Sequence, residues 1–289
     1  MTSPDDYRFL ADLLKRNSGL HLGEGKEYLL ESRLLPIAEQ FGLKDVADLV
    51  RAIREGATPQ LALATVEAMT TQETLFFRDM TPFKALKENL LPEALPRRRA
   101  LHQKVRIWSA ACSTGQEPYS IAMLLATQLP AVLPADVEIV ATDYSAKALA
   151  RARAGLYSQF EVQRGLPAPM LVRYFTQTPA GFRIADEIRR YVTFQEQNLL
   201  HGCAGLGSFD VIFCRNVLIY FDRPVKREVF DRLASALAPG GHLLLGAAET
   251  PYGVTERLVR APCGCPGAYI EAAHDARITA GPGAGALVA

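Results

Sequence analysis

The chain has 289 residues, of which 49% are hydrophobic and 22% are charged, enough for one sizeable core and a second, smaller one. Lysine and arginine total 32 against 31 acidic residues, and this net charge of +1 argues against nucleic-acid binding by bulk electrostatic attraction. The N-terminus lacks the pattern of a signal peptide, and no apolar run reaches the roughly 18 residues that span a bilayer. We therefore expect a cytoplasmic protein without membrane insertion.

The cysteines give no indication of a disulfide framework or a metal centre. Their number is odd, and the last two are separated by a single glycine rather than by the spacing of metal ligands. We expect reduced thiols and no bound metal. The five cysteines are Cys112, Cys203, Cys214, Cys263 and Cys265.

Residues 1–80 have the apolar periodicity of helices. Leucines and valines recur at helical spacing from Tyr7 to about Met69, and glycines fall between these segments as helix stops. Pro36 should bend or end the second helix, because proline cannot donate the interior hydrogen bond. The pattern predicts a small all-α N-terminal domain.

Residues 81–104 are predicted to connect this domain to the next one. A helical stretch from about Pro82 to Leu90 comes first, and Pro92 and Pro96 then mark an irregular segment. We interpret the run Arg97 to Arg99 as a solvated linker rather than as a binding patch.

Residues 105–273 alternate short apolar, β-branched runs with longer helical ones. This alternation predicts an α/β domain with a parallel sheet covered on both faces. Gly240 and Gly241 should end the last helix before its strand, and Gly267 to Ala272 could supply a final edge strand. The predicted strands are Val105 to Ala110, Val137 to Thr142, Phe209 to Cys214 and His242 to Gly246, and the predicted helices are Glu117 to Gln128, Ala146 to Ala154 and Pro224 to Ala238.

The segment at about 157–196 breaks this rhythm with clustered glycine and proline. A short strand pair near Phe182 to Ile184 and Tyr191 to Phe194 predicts a small inserted antiparallel β lobe. The tail, residues 274–289, is rich in glycine and alanine and is predicted to be disordered.

The loop after the first predicted strand, Ser109 to Pro118, consists of small residues and leads into a helix. Ligands of open parallel sheets bind at the carboxyl ends of the strands, so this loop predicts a crevice of the nucleotide-binding type. It lacks the G-x-G-x-x-G pattern of pyrophosphate sites, which favours a ligand without phosphates. The alternative is a plain tight connection between strand and helix.

Polar side chains follow two further strands. Asp143 ends the second strand, where an acidic residue can accept hydrogen bonds from the two ribose hydroxyls of a nucleoside. It could also be the N-cap of the following helix. Asn216 and Tyr220 come directly after the strand that ends at Cys214, where a ligand would lie.

Four motifs occur in order along the chain: MTTQETLFFRD (69–79), RIWSAACSTGQEPYSIAM (106–123), ATDYSAKALARARAGLY (141–157) and FDVIFCRNVLIYFD (209–222). They resemble those of the chemotaxis receptor glutamate methyltransferases, the CheR-type family, over about Tyr7 to Ile270. The resemblance implies a Rossmann-like S-adenosylmethionine-dependent methyltransferase domain with a three-stranded inserted lobe, preceded by an all-α domain. It also implies S-adenosylhomocysteine as the product.

The resemblance assigns roles residue by residue. Arg78 would lie along the active-site wall, and Tyr220 would face the transferred methyl group. Both are predicted to be catalytic, and our own hypothesis is that the donor fork of Arg78 docks the acceptor carboxylate. Glu117 would meet the methionine end of the cofactor, and Asp143 would hold its ribose. The other residues expected at the cofactor are Gln72, Thr74, Ala110, Asn198, Leu199, Asn216 and Val217, together with Arg78 itself.

Three positions depart from the family pattern. Gln72 replaces a usual asparagine, Gln116 replaces a frequent glutamate, and residues 246–249 stand where a His-Ser pair is common. None of these changes removes a residue to which we assign an essential role.

The resemblance further implies a partner, the cytoplasmic helices of methyl-accepting chemotaxis receptors. It leaves open whether a receptor C-terminal peptide binds the inserted lobe. Lys26 and Arg33 could share one helical face toward acidic receptor helices. Residues 1–80 nevertheless contain 9 basic and 13 acidic residues, so both could equally be ordinary solvated positions.

Methyl transfer to a carboxylate is a one-step displacement, and a glutamate with a pKa near 4.3 is already an anion at neutral pH. No general base is needed, so the histidines require no catalytic role. Two alternatives remain: a methyltransferase of the same fold that acts on another carboxylate acceptor, and a noncatalytic regulator that senses the cofactor. The helical domain argues against the first, and the presence of Arg78, Asp143, Asn216 and Tyr220 argues against the second.

Overall fold

The computed structural model describes residues 3–23, 25–56, 58–130, 132 and 135–273, which form two compact units. One unit comprises the chain up to Gln72 together with Tyr220–Val225, and the other comprises Glu73–Ile219 and the chain from Lys226 onward. Among these residues, none of the helices combines the length and hydrophobicity needed to cross a membrane. The tail that was predicted to be disordered lies outside the described residues.

The first unit is helical, as predicted. Side chains of Ser3, Asp45 and Thr58 accept hydrogen bonds from backbone N–H groups and so cap three of its helices. Gly19 ends the first helix with a left-handed φ of 75°. The helices are α1 (Pro4–Ser18), α2 (Glu27–Gln40), α3 (Val46–Arg54) and α4 (Pro59–Met69).

Helix α2 continues through Pro36 to Gln40, so the prediction that the helix could end at this proline is wrong. Leu30, Leu34 and Ala38 lie four residues apart and are fully buried on both sides of Pro36. Their burial offsets the loss of one backbone hydrogen bond.

The second unit begins with a continuous helical stretch and contains two sheets. The helices that follow α4 in the chain are α5 (Met80–Ala85), a π-helical turn (Leu86–Leu90), α6 (Leu91–Ala100), α7 (Gln116–Gln128), α8 (Ala146–Ala154), α9 (Gln159–Gln163), α10 (Ala168–Tyr174), α11 (Asp186–Arg189) and α12 (Arg223–Ala236), with 3-10 turns at Ala204–Leu206 and Leu218–Tyr220. The turn at Leu218–Tyr220 and the start of α12 include residues of the first unit, and the strands all belong to the second. Its strands are β1 (Val105–Ala110), β2 (Val137–Asp143), β3 (Leu156–Tyr157), β4 (Phe175–Thr178), β5 (Gly181–Ile184), β6 (Val192–Glu196), β7 (Phe209–Cys214), β8 (Leu237–Leu245), β9 (Leu258–Arg260) and β10 (Ala268–Glu271).

The main sheet confirms the predicted parallel architecture. Its strand order is β6-β2-β1-β7-β8-β10-β9, with β6, β2, β1, β7 and β8 parallel and β10 antiparallel to both of its neighbours. The chain runs outward from β1 to β6 and then returns to β7, so the strand order reverses between β1 and β7. A ligand crevice is expected outside the carboxyl ends of these two strands.

The inserted lobe is a three-stranded antiparallel sheet in the order β3-β5-β4. The strand predicted at Phe182 to Ile184 is β5, but its predicted partner at Tyr191 to Phe194 is β6 of the main sheet, parallel to β2. That pairing was therefore wrong. Only Val192 of β6 is buried, so the apolar pattern of this short strand does not reveal which sheet it joins.

We had expected Gly240 and Gly241 to end a helix, and this prediction is wrong. Helix α12 already ends at Ala236, and both glycines lie within β8. A Cβ on Gly241 would come within 2.7 Å of the Phe209 carbonyl oxygen, next to a register irregularity between β7 and β8. The glycine allows this close approach of two backbones.

The segment predicted as a solvated linker is helix α6, so that interpretation is wrong. Arg97 and Arg98 both donate to the carboxylate of Asp210 at 2.9 Å, and this carboxylate also accepts the Arg106 N–H at 3.0 Å. The Asp210 side chain is fully buried at the start of β7. The arginines therefore attach α6 to the sheet.

Replacing Asp210 with asparagine should destabilise the fold by about 3 kcal/mol, because it leaves two arginines beside a neutral group in a buried site. Urea denaturation measures this loss as a lower midpoint. Asp136→Asn is the matched control, since Asp136 pairs with the more exposed Arg99 and should cost much less. Equal losses in the two variants would contradict a structural role for the buried cluster.

Candidate functional site

The loop between β1 and α7 is tightly folded at the point of strand reversal. Ala111 and Ser113 have left-handed φ values of 54° and 51°, and Gly115 has a φ of 92°. A Cβ on Gly115 would lie 2.9 Å from the Cβ of Ala152, so the turn requires glycine. Left-handed conformations of non-glycine residues concentrate at ligand sites. These conformations make the loop a candidate ligand site.

Asp143 ends β2 and is 5% exposed. Its Oδ2 accepts the Ser113 N–H at 2.8 Å and its Oδ1 accepts the Ser145 N–H at 2.9 Å. The N-cap of α8 is Ser145, whose Oγ accepts the Ala148 N–H, so the interpretation of Asp143 as the helix cap is wrong. The carboxylate instead joins the β1 loop to the end of β2.

Asn198 and Leu199 lie just beyond β6, beside β2. The Gln197 N–H donates to the Asp143 carbonyl at 3.0 Å, and the Asn198 Oδ1 accepts the Leu200 N–H at 2.9 Å. These two predicted cofactor residues therefore follow the end of β6, next to the end of β2 that carries Asp143.

Arg215 connects two residues that the sequence had singled out separately. Its Nη1 donates to Glu117 at 2.9 Å, and its Nη2 donates to the Arg78 carbonyl at 2.7 Å and to Asp79 at 2.9 Å. Glu117 also accepts the Ser109 hydroxyl at 2.8 Å. The Arg215 side chain is 1% exposed, and its Nε has no hydrogen-bond partner among the described residues. Sequence reasoning gave Arg215 no role.

Arg78 is held on a rigid segment. Phe76 and Phe77 are buried in the core, and the Phe77 N–H donates to the Ser120 hydroxyl at 2.9 Å. Residues 77 and 79 on either side of Arg78 have left-handed φ values of 49° and 54°. Arg78 is half-buried, its Nη1 lies 3.5 Å from the Glu73 carbonyl oxygen, and its charge helps to lower the pKa of the Glu73 carboxyl.

The predicted cofactor residue Thr74 is half-buried on the same segment, next to Glu73. Arg164 pairs with Glu73 at 2.7 Å and holds the pKa of that carboxyl below its usual value. Ala110, another predicted cofactor residue, ends β1 and is 1% exposed.

The predicted residues Asn216 and Val217 lie in a turn directly after β7, where Asn216 has a left-handed φ of 59°. The carboxylate of Glu249, from the segment after β8, accepts hydrogen bonds from the backbone of this turn. We had not assigned Glu249 a role. The signal for it was an acidic residue soon after an apolar strand, Leu243 to Leu245, that ends at the same sheet edge.

Three thiols of the second unit are buried, and two of them, Cys112 and Cys214, lie near the carboxyl ends of β1 and β7. Burial raises the pKa of Cys112 well above its usual value, with smaller contributions from Asp143 and Glu117. Burial likewise raises the pKa of Cys214, aided by Glu249. Both thiols are therefore protonated at neutral pH and are weak nucleophiles.

Two predicted site residues, Gln72 and Tyr220, belong to the helical unit. The Gln72 Nε2 donates to the Thr70 hydroxyl at 3.3 Å, and the Tyr220 carbonyl accepts the His21 N–H at 2.8 Å. The residues that the second unit brings to one edge of its sheet are Ala110, Glu117, Asp143, Asn198, Leu199, Asn216 and Val217.

The proposed basic face on α2 does not have the form that the sequence suggested. Lys26 is the exposed N-cap of α2, whereas Arg33 is half-buried and donates to the Met69 carbonyl at 2.7 Å. Arg33 therefore joins α2 to the end of α4 within the helical unit.

The main sheet is mostly parallel, with a tight loop after its first strand and a buried acid at the end of its second. This combination is typical of the Rossmann-like folds that bind nucleosides. The family described as "CheR methyltransferase, SAM binding domain" matches residues 72–262, and "CheR methyltransferase, all-alpha domain" matches residues 5–70. The chain thus belongs to the CheR methyltransferase family and contains an S-adenosylmethionine-binding methyltransferase domain.

Named relatives agree with this assignment. A chemotaxis protein methyltransferase of Vibrio parahaemolyticus is 44% identical over 265 residues, which cover 90% of this chain and 94% of the relative. One from Vibrio anguillarum is 45% identical with the same coverage. The chemotaxis protein methyltransferase 1 of Pseudomonas aeruginosa is 44% identical over 84% of this chain and 89% of its own.

Proposed function

We propose that this protein transfers a methyl group from S-adenosylmethionine to glutamate side chains of chemotaxis receptors, giving a γ-carboxyl methyl ester and S-adenosylhomocysteine. The observation that carries the proposal is the state of Arg78. Among the described residues it forms no ion pair, and it is fixed beside the Glu117–Arg215 pair of the crevice. Its planar fork of donors suits a carboxylate that arrives from outside.

The residues present fit the cofactor. A glycine-dependent turn lets the β1 loop pack closely, and the buried Arg215 Nε is a donor without a partner among the described residues. Asp143 would accept hydrogen bonds from the ribose, and Glu117 would meet the methionine end. The other residues proposed to hold the cofactor are Gln72, Thr74, Arg78, Ala110, Asn198, Leu199, Asn216 and Val217, and no metal takes part.

Bound S-adenosylmethionine supplies a methyl group on a positively charged sulfur. The acceptor glutamate is ionised at neutral pH, so the protein need not remove a proton. Its task is alignment, which contributes up to roughly 7–11 kcal/mol in favourable intramolecular reactions. Arg78 would hold the carboxylate, and Tyr220 would orient one oxygen or shield the sulfonium.

The protonation of two cysteine thiols near the crevice also supports the proposed reaction. Cys112 and Cys214 lie at the ends of the strands that form the crevice, and a thiolate there would compete for the methyl group. Their raised pKa values keep both thiols neutral. An incoming carboxylate therefore meets no charged thiol competitor from these two residues.

The proposed partner is the cytoplasmic helical region of a methyl-accepting receptor, reached by a cytoplasmic enzyme. The three-stranded lobe has β4 at its edge, where a receptor C-terminal peptide could add a strand. A carboxylate acceptor other than a receptor and a noncatalytic cofactor sensor are the alternatives.

Transfer of a labelled methyl group to receptor-containing membranes tests the proposal. We expect label in the receptor band and its release as methanol under mild base, because carboxyl methyl esters hydrolyse readily. Label that enters only small carboxylic acids would favour the first alternative. Cofactor binding with no transfer to any acceptor would favour the second.

A further inference from the structure

The carboxylate of Glu249 accepts hydrogen bonds from four backbone N–H groups. Its Oε1 accepts from Val217 at 2.9 Å and Leu218 at 2.7 Å. Its Oε2 accepts from Asn216 at 2.8 Å and from Gly246 at 2.7 Å. The side chain belongs to a residue that is only 6% exposed, so this charge is satisfied by fixed backbone dipoles rather than by water.

Three of these donors are consecutive and form the turn after β7. A turn whose first residue, Asn216, has a left-handed φ of 59° is unfavourable for a non-glycine side chain and persists only where its surroundings fix it. The Glu249 carboxylate bonds both the strained residue and the two that follow. It thus compensates for the strain at the position that the proposed function assigns to the cofactor.

Gly246 shows how closely this cluster is packed. A Cβ at Gly246 would lie 2.7 Å from the Glu249 Oε2, 2.9 Å from the Asn216 Nδ2 and 3.1 Å from the Asn216 backbone nitrogen. Any side chain at this position must displace the carboxylate or the asparagine. The glycine and the glutamate therefore act on the same turn from the end of β8.

We propose that Glu249 is a positioning residue, which fixes the backbone of Asn216 and Val217 and thereby sets the cofactor affinity of the site. The inference rests on the proposed function, because it takes the turn after β7 as part of the cofactor site. Because the Glu249 carboxylate bonds backbone N–H groups of the turn and of Gly246, it acts through Asn216 and Val217.

Glu249→Gln tests this at nearly constant volume. The amide offers one accepting oxygen and one NH₂ group, so backbone donors that face the NH₂ lose their acceptor. We expect the dissociation constant for S-adenosylhomocysteine, measured by calorimetry, to rise tenfold or more. Gly246→Ala should produce a loss in the same direction, because it displaces the same cluster.

Asp210→Asn is the matched control. Asp210 is also a buried carboxylate that binds a backbone N–H, but it lies at the opposite end of β7 from Asn216. Its replacement should lower the melting temperature while leaving the dissociation constant within twofold of wild type. A merely structural role for Glu249 would give the same behaviour as this control.

A double-mutant cycle with Asn216→Ala makes the test specific. If Glu249 acts through Asn216, the double variant Glu249→Gln/Asn216→Ala should bind little more weakly than the weaker of the two single variants. Independent, multiplicative losses would overturn the part of the inference that runs through Asn216.

The remaining outcomes separate this inference from the proposed function. Wild-type protein that fails to bind S-adenosylhomocysteine overturns both. Wild-type binding with unchanged affinity in Glu249→Gln overturns the positioning role alone. Should Glu249→Gln not fold, Gly246→Ala decides, and wild-type affinity in that variant likewise overturns the role.

Discussion

Asp143→Ala should weaken the binding of S-adenosylhomocysteine by at least about a hundredfold, or roughly 2.7 kcal/mol or more. Hydrogen bonds to a charged group contribute roughly 1.5–3 kcal/mol each, and the ribose would make two of them with this carboxylate. The Ser113 N–H, which Asp143 accepts at 2.8 Å, also loses its acceptor, so the β1 loop should become less ordered. Isothermal titration calorimetry measures the change directly.

Ser145→Ala separates the ribose role from the helix cap. It removes the side chain that caps α8 and leaves the Asp143 carboxylate in place. We expect it to cost about 1 kcal/mol of stability, as cap removal typically does, with a dissociation constant close to wild type. Wild-type affinity in Asp143→Ala would refute the ribose assignment.

Arg78→Lys should lower kcat/KM for the receptor by roughly ten- to a hundredfold, or about 1.4–2.7 kcal/mol of transition-state stabilisation. Lysine keeps the charge but cannot form the bidentate contact of a guanidinium with a carboxylate. Cofactor affinity should change much less, because the Arg215 contact to residue 78 uses its backbone carbonyl. Single-turnover measurements at saturating cofactor isolate this step.

Arg164→Lys is the control for a change of arginine to lysine nearby, since Arg164 forms a partly exposed pair with Glu73. It should leave kcat/KM nearly unchanged.

Tyr220 has two proposed roles, and two substitutions distinguish them in the same single-turnover assay. Tyr220→Phe should cause a partial loss if the hydroxyl orients an acceptor oxygen, and Tyr220→Ala a larger one because the ring is also removed. Wild-type rates in both Arg78→Lys and Tyr220→Ala would remove these segments from the catalytic centre.

The elements with the strongest local signals were predictable from the sequence. β1 and β7 lie at the predicted bounds because each is a short, mostly apolar run with β-branched residues. Asp143 and Asn216 were predictable as candidates because the carboxyl ends of parallel strands meet at one edge. Their position follows from strand polarity alone and needs no knowledge of side-chain contacts.

Features that depend on contacts distant in sequence were not predictable. The run Arg97 to Arg99 has the sequence pattern of a solvated linker. Its contact with Asp210, more than a hundred residues later, exists only in the folded chain. The pairing of Tyr191 to Phe194 is set by the register with β2, which a strand with one buried residue does not encode locally.

Two residues of the candidate site, Arg215 and Glu249, were not predicted for the same reason. Arg215 and Glu249 are charged residues next to apolar strands, where either could have been a solvated strand end. Only the fold shows that Arg215 is buried between Glu117 and Asp79, and that Glu249 is enclosed by backbone N–H groups. A buried charge must be paired or hydrogen-bonded, so both residues hold neighbouring segments of the site in place.

The central claim is that the acceptor is a glutamate side chain of a receptor, and peptide mapping of the methylated receptor by mass spectrometry tests it most directly. After incubation with enzyme and S-adenosylmethionine, we expect single methyl additions on glutamate side chains of the receptor's cytoplasmic helices. These additions should disappear after mild base treatment and be absent with Arg78→Ala. Base-stable methyl groups on lysine or cysteine, or a receptor without any added methyl group, would contradict the account.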